Sequence, residues 1–180
     1  MTSVSANGMK FAYADPPYLG CCRFYDHFHP DGRCWDDIDT HKLLVDRLIT
    51  DYPDGWALSC HTPSLIRLGS MCPEDVRIGA WVKPFHIYKK GVRPAYSWEP
   101  VLYRGGRNKG HKPPEKGGKA TTPKDFVSAN IMLKKGLTGA KPPVFSLWVL
   151  DLLNFQPDDQ IDDLYSGTGG VAAAWAARQS

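Results

Sequence analysis

A short β-rich run at residues 11–14 is cut off by Asp15-Pro16-Pro17. Two successive prolines offer no N–H to a ladder, so a central strand cannot continue through them. The chain must leave its sheet there, with Asp15 at the strand's carboxyl end. The pattern recurs near the other terminus. Residues 161–165 read as a strand that runs into the tight turn Gly167-Thr168-Gly169-Gly170 and then an alanine-rich helix over 171–178. Between these, residues 36–52 carry Leu44, Val45, Leu48 and Ile49 at helical spacing behind an aspartate-rich start, and Pro53-Asp54-Gly55 closes the helix. Residues 56–60, 76–82 and 101–103 read as short strands. Thr62-Pro63 and Pro142-Pro143 each open a helix, over residues 65–71 and 144–155. Strands alternating with helices predict an α/β fold, a mostly parallel sheet with helices on both faces.

A chain of 180 residues is sufficient for one such domain. It is 42% hydrophobic and 23% charged, which excludes wholesale disorder, and no apolar run approaches the ~20 residues of a spanning helix. The first ten residues are polar, so no export signal is expected. The odd set Cys21, Cys22, Cys34, Cys60 and Cys72 then reads as reduced thiols in a cytoplasm-like compartment. Cys21, Cys22, His27, His29, Cys34 and His41 lack a metal-binding spacing, and no metal is expected. The net charge is only +3, but residues 104–124 hold seven basic side chains against Glu115. Arg104, Arg107, Lys109, Lys112, Lys116, Lys119 and Lys124 therefore form a basic segment on a slightly acidic body, which points to a polyanionic partner. The segment is rich in Gly, Lys and Pro and reads as a loop or insertion over residues 104–140 of a single domain spanning 1–180.

The two strand-end motifs lie where open α/β sheets bind ligands. Asp15-Pro16-Pro17-Tyr18 brings together a carboxylate, a rigidly held Pro16 carbonyl and an aromatic ring. Asp163-Leu164-Tyr165-Ser166-Gly167-Thr168-Gly169 brings a close-approach glycine turn to the second strand end.

With these residues the chain resembles the S-adenosylmethionine-dependent methyltransferases that modify exocyclic nitrogens of nucleobases. Asp15, Pro16, Pro17 and Tyr18 look like the family's catalytic motif. That resemblance implies an exocyclic base amine, a poor nucleophile, whose protons are drawn by the Asp15 carboxylate and the Pro16 carbonyl so that its lone pair is freed. It also implies a Tyr18 ring that offers a flat face to a base swung out of its stack, the face rather than the hydroxyl being expected to matter. The stretch Asp163, Tyr165, Ser166, Gly167, Thr168 and Gly169 looks like its cofactor motif, and Lys141-Pro142 like the Lys-Pro that precedes that motif. Residues 81–84 and 99–103 look like later strands of the family. The catalytic motif comes first, which is the permuted order of a group of bacterial and phage DNA methyltransferases and of relatives that methylate adenine in messenger RNA. The resemblance implies a Rossmann-like three-layer sandwich, S-adenosylmethionine as cofactor, and methyl transfer to adenine N6 in DNA, as in restriction-modification systems. Adenine rather than cytosine rests on the aspartate that opens the motif. An RNA adenine methyltransferase and a non-catalytic nucleic-acid-binding module are the alternatives. The chain also departs from the pattern. No strand after residue 180 supplies the carboxylate that usually holds the cofactor ribose, so the sheet is expected to be cut short at that edge. The basic segment, in the place of the target-recognition region, is short.

Overall fold

A computed structural model describes residues 8–24, 32–85, 90–107, 122–132, 140–167 and 169–179. Six strands form one sheet: β1 (Lys10–Ala14), β2 (Gly55–Ser59), β3 (Arg77–Val82), β4 (Trp98–Gly105), β5 (Phe126–Ser128) and β6 (Gln160–Asp163), in the order β5-β3-β4-β2-β1-β6. β1 pairs in parallel with β2 and β6, and β3 with β5, while β4 runs against both of its neighbours. The sheet is thus mostly parallel, as the alternation of elements predicts. β6 forms one edge, paired only with β1 among the described residues.

The helices are α1 (Ile38–Asp51), α2 (Leu65–Gly69), α3 (Pro143–Leu152) and α4 (Gly170–Gln179). The period-2 alternation of the strands sorts their side chains to two cores. Phe11, Tyr13, Ala57, Val101 and Tyr103 pack on one face with Phe145, Trp148 and Val149 of α3 and Val171 of α4. Ala12, Ala14, Trp56, Leu58 and Leu102 pack on the other with Leu44, Val45 and Leu48 of α1 and Leu68 of α2. The result is a three-layer α/β sandwich with buried layers on both sides of the sheet. None of the described helices is long and apolar enough to cross a membrane.

Local chemistry sets the boundaries. Asp37 caps α1 by accepting from the Asp39 N–H at 3.0 Å. Thr62-Pro63 does open a helical segment, but as a 3-10 turn (Thr62–Ser64) that hands over to α2. α3 stops at Leu152, earlier than its apolar spacing suggests, because Asn154 takes a left-handed conformation with φ 50°. β4 is longer than residues 101–103 and runs through Pro100. The Pro100 carbonyl accepts from the Cys60 N–H beyond the last residue of β2. The ring nitrogen faces that same side, past the end of the ladder, so no strand bond is lost. β5 is not evident from sequence. It is three residues long and half exposed, and it is held by β3 on one side and by the bond from Trp148 Nε1 to the Lys124 carbonyl at 2.8 Å on the other.

The topology creates a crevice. The chain leaving β1 turns toward α1 on one face, and the chain leaving β6 turns into α4 on the opposite face. β1 and β6 are parallel neighbours, so their diverging carboxyl ends leave a cleft between them.

Candidate active site

Asp15 stands at the carboxyl end of β1 and Asp163 at that of β6, one strand apart. Both polar side chains of the Asp15–Tyr18 segment are tied to the body of the fold. Lys141, just before α3, donates from Nζ to Asp15 Oδ2 at 2.5 Å and to the Tyr18 hydroxyl at 3.2 Å. Its ammonium also lies 5.6 Å from the Tyr18 ring centre, 5.6 Å from Phe145 and 5.8 Å from Trp81, an aromatic enclosure that favours a cation. Lys141, expected from sequence to belong with the Asp163–Gly169 stretch, therefore sits against Asp15 and Tyr18.

The Tyr18 hydroxyl points at two carboxylates, Glu99 Oε2 at 2.9 Å and Asp15 Oδ1 at 3.2 Å. It carries one proton, so it serves one acceptor at a time, and Glu99 is the nearer. Burial, with the Asp15 and Glu99 charges adding to it, raises the Tyr18 pKa well above its ordinary value, so the hydroxyl stays protonated and donates. Glu99, on β4, also accepts from Lys83 Nζ at 2.6 Å, just past the end of β3. Burial works to raise the Glu99 pKa, but the Lys141 and Lys83 charges outweigh it and hold the carboxyl below its ordinary value. Asp15, Glu99, Lys83 and Lys141 form a charge-balanced tetrad around one phenol.

The ring of Tyr18 is also engaged. His61 stacks on it at 5.6 Å between centroids and 20° between planes. The Ser64 hydroxyl lies 2.8 Å from His61 Nδ1 and 3.1 Å from the His61 carbonyl, which anchors the ring. Burial lowers the ring's pKa and keeps it neutral. Asp36 fixes the loop beyond, accepting from the Gly20 N–H at 2.8 Å and the Cys22 N–H at 3.3 Å.

At the second strand end, Asp163 accepts from the Tyr165 N–H, yet its Oδ1 is buried without a partner. Burial raises its pKa, the Tyr165 N–H opposes this, and the nearby Asp15 charge adds to the rise. A buried acceptor without a donor is costly unless something else supplies one. The turn that follows takes positive φ at Gly167 (42°) and Gly169 (71°), a conformation that glycine adopts without strain. Ser166 and Gly167 are exposed beside the cleft, and the Tyr165 ring packs edge-on against Trp35 at 5.2 Å. Thr168 lies outside the described residues.

The basic segment begins elsewhere. β4 runs downward, so Gly105 pairs with Gly55 at the start of β2, the edge opposite Asp15. Arg104 pairs with Asp75 at 2.7 Å, and Arg107 pairs with the fully buried Asp159. Asp159 in turn accepts from the Met9 and Gln156 N–H groups. Lys124 re-enters ahead of β5 with its ammonium 5.3 Å from the Phe126 ring. Lys109, Lys112, Lys116 and Lys119 lie outside the described residues. Of the Cys–His group, His27 and His29 also lie outside them, while the Cys22 thiol bonds Asp36 and His41 Nε2 meets the Trp35 carbonyl at 2.9 Å.

Glu99, Lys83 and His61 were not legible from sequence as site residues. The usable signal was register: Glu99 opposes Trp81 on antiparallel strands, which brings Lys83 and Glu99 to the same end of neighbouring strands.

No protein-family model matches the chain, and no curated protein sequence does. Solved structures do. M1.HpyAVI, crystallised as a complex with SAM, superposes with a TM-score of 0.55 at 14% identity, over 94% of this chain and 78% of its own. A Thermus thermophilus protein proposed to be a DNA modification methylase gives 0.51 at 16% identity, over 98% and 79%. The likeness covers nearly the whole chain and shows the fold, the Rossmann-like sandwich these proteins share.

Proposed function

We propose that this chain transfers a methyl group from S-adenosylmethionine to the N6 amine of adenine in DNA. The observation that carries the reading is the placement of Asp15-Pro16-Pro17-Tyr18 and the Asp163–Gly169 turn at the carboxyl ends of adjacent parallel strands. The likeness in fold to a protein crystallised with SAM and to a proposed DNA methylase supports it.

The residues present fit the cofactor. The unpartnered Asp163 Oδ1 suits its ammonium group, the turn at Gly167 and Gly169 allows close approach, and Lys141 suits its carboxylate. When bound, the cofactor supplies an electrophilic methyl on a sulfonium. The chain's own task is to present the amine. A carboxylate has about four acceptor positions, Lys141 takes one of those on Asp15, and the single Tyr18 proton has the nearer Glu99 to go to, so acceptor capacity remains for the amine. The Pro16 carbonyl supplies a second acceptor on a backbone that two prolines stiffen. With both in place, the amine's lone pair is aimed rather than delocalised, and positioning supplies most of the rate. Lys109, Lys112, Lys116, Lys119 and Lys124 contribute the long-range attraction to a polyanion.

Titration calorimetry with S-adenosylmethionine tests the reading. Wild-type protein is expected to bind, and Asp163→Asn to bind at least tenfold more weakly, because a charged acceptor is lost (~1.5–3 kcal/mol). No heat of binding to wild type would favour a binding module without catalysis.

A further inference from the structure

Two cavities open at the carboxyl-end edge of the sheet, on either side of the 3-10 turn Thr62–Ser64. The larger, about 500 Å³, is lined by Thr62, Arg93, Tyr96 and Trp98 among others. It falls in the size range of small-ligand sites (~300–1,000 Å³). The smaller, about 280 Å³, is lined by Gly20, Asp36, His61 and Arg67 among others. Thr62 lines the larger and Pro63 and Ser64 the smaller, and the turn's neighbour His61 is the residue stacked on Tyr18. The smaller cavity, lined by His61 itself, therefore borders the candidate active site, and the larger reaches Thr62, the residue after His61.

Their charges differ from those of the basic segment. Arg104 and Arg107 are spent on Asp75 and Asp159, whereas Arg93 and Arg67 are exposed and have no carboxylate partner among the described residues. Asp36 lines the smaller cavity, but its carboxylate is committed to the Gly20 and Cys22 N–H groups. Tyr96 presents an aromatic ring that is 48% exposed. Unpaired cations interleaved with an exposed aromatic residue along a groove are what a single nucleic-acid strand requires, phosphates on the cations and bases on the ring.

We propose that the two cavities form one track for a single-stranded stretch of nucleic acid. It holds the nucleotides on either side of the one that offers its amine to Asp15. Arg93 in the larger cavity and Arg67 in the smaller pair with phosphates, and a base stacks on Tyr96. The inference rests on the methyl-transfer reading for the place of the reacting nucleotide. It assigns the grip on that strand to this edge rather than to the basic segment, which is rooted at the opposite edge.

Fluorescence anisotropy with a labelled single-stranded DNA oligonucleotide, and with a duplex of the same sequence, tests this. Arg93→Ala, Arg67→Ala, the double variant, Tyr96→Ala and Tyr96→Phe all alter exposed side chains, and thermal melting checks that they fold. Each alanine variant is expected to lose about tenfold in single-strand affinity, while Tyr96→Phe retains it. The double variant should flatten the slope of log K against log salt by about 1.4, roughly 0.7 per phosphate. Single-strand binding by the double variant at wild-type affinity and slope would overturn the track, as would absence of single-strand binding by wild type. Arginine-dependent binding in a protein that takes up no S-adenosylmethionine would uphold the track and remove the methyl-transfer reading instead.

Discussion

Tyr18 shows how a side chain chosen for its face is held by its edge. From sequence, the ring matters and the hydroxyl is dispensable. In the structure the hydroxyl lies between Glu99 and Asp15 and accepts from Lys141. Tyr18→Phe leaves Glu99 with Lys83 alone and is expected to cost about 1 kcal/mol. For a chain of this length that is a fall in melting temperature of ~2–4 °C, readable by calorimetry. An unchanged melting temperature would mean that the hydroxyl contributes nothing. Asp163 carries the opposite sign. Its pKa in the fold lies above the ordinary 3.8, so the folded state holds the proton more tightly than the unfolded chain does. Stability therefore falls as pH rises from about 3.8 through the raised value, and at neutral pH the charged form is a liability. Asp163→Asn should raise the melting temperature at neutral pH by ~2–4 °C, about 1 kcal/mol, while weakening cofactor binding. A variant that melts at or below wild type would contradict the assignment of Asp163 Oδ1 as a strained acceptor awaiting a donor.

At the level of elements, what was legible followed from local rules and what was missed did not. Asp37 at the start of α1 and the paired prolines after β1 act on their own neighbours in sequence, and both elements are found where those residues place them. β5 carries no signal of its own because β3 and Trp148 stabilise it from afar. The Tyr18–Glu99 bond joins residues 81 apart, a distance over which no periodicity can report. A glycine inside β3 illustrates such remote control. A Cβ built on Gly79 would come within 2.9 Å of the Trp148 ring, so the small residue exists to let α3 approach the sheet. Gly79→Ala must displace that indole and is expected to destabilise by roughly 1–3 kcal/mol. Urea denaturation monitored by tryptophan fluorescence gives the value, and no loss would mean that α3 packs more loosely than the distance implies.

For the molecule as a whole, the two ends of the sheet have separate work. The carboxyl ends of β1, β2 and β6 and the start of β4 hold the charged tetrad and both cavities, while the basic segment departs from the opposite edge. With Arg104 and Arg107 paired with acids, the proposed phosphate contacts of the segment fall to its lysines. If about three engage at once, the duplex-binding slope of log K against log salt should be about −3. Lys109→Ala/Lys112→Ala/Lys116→Ala should flatten it by up to ~3 units and leave S-adenosylmethionine affinity unchanged. An unaltered slope would make the segment a solvated loop. The central claim is that Asp15 presents a base amine to a methyl donor across the β1–β6 cleft. Incubation with methyl-labelled S-adenosylmethionine and separate DNA and RNA substrates, followed by nucleoside analysis, tests it most directly. The prediction is label in N6-methyladenine from DNA with wild-type protein, and a loss of about 100- to 1,000-fold with Asp15→Ala, the equivalent of ~3–4 kcal/mol of barrier. Label at full rate with Asp15→Ala, or no label on either nucleic acid from wild-type protein that binds the cofactor, would contradict it.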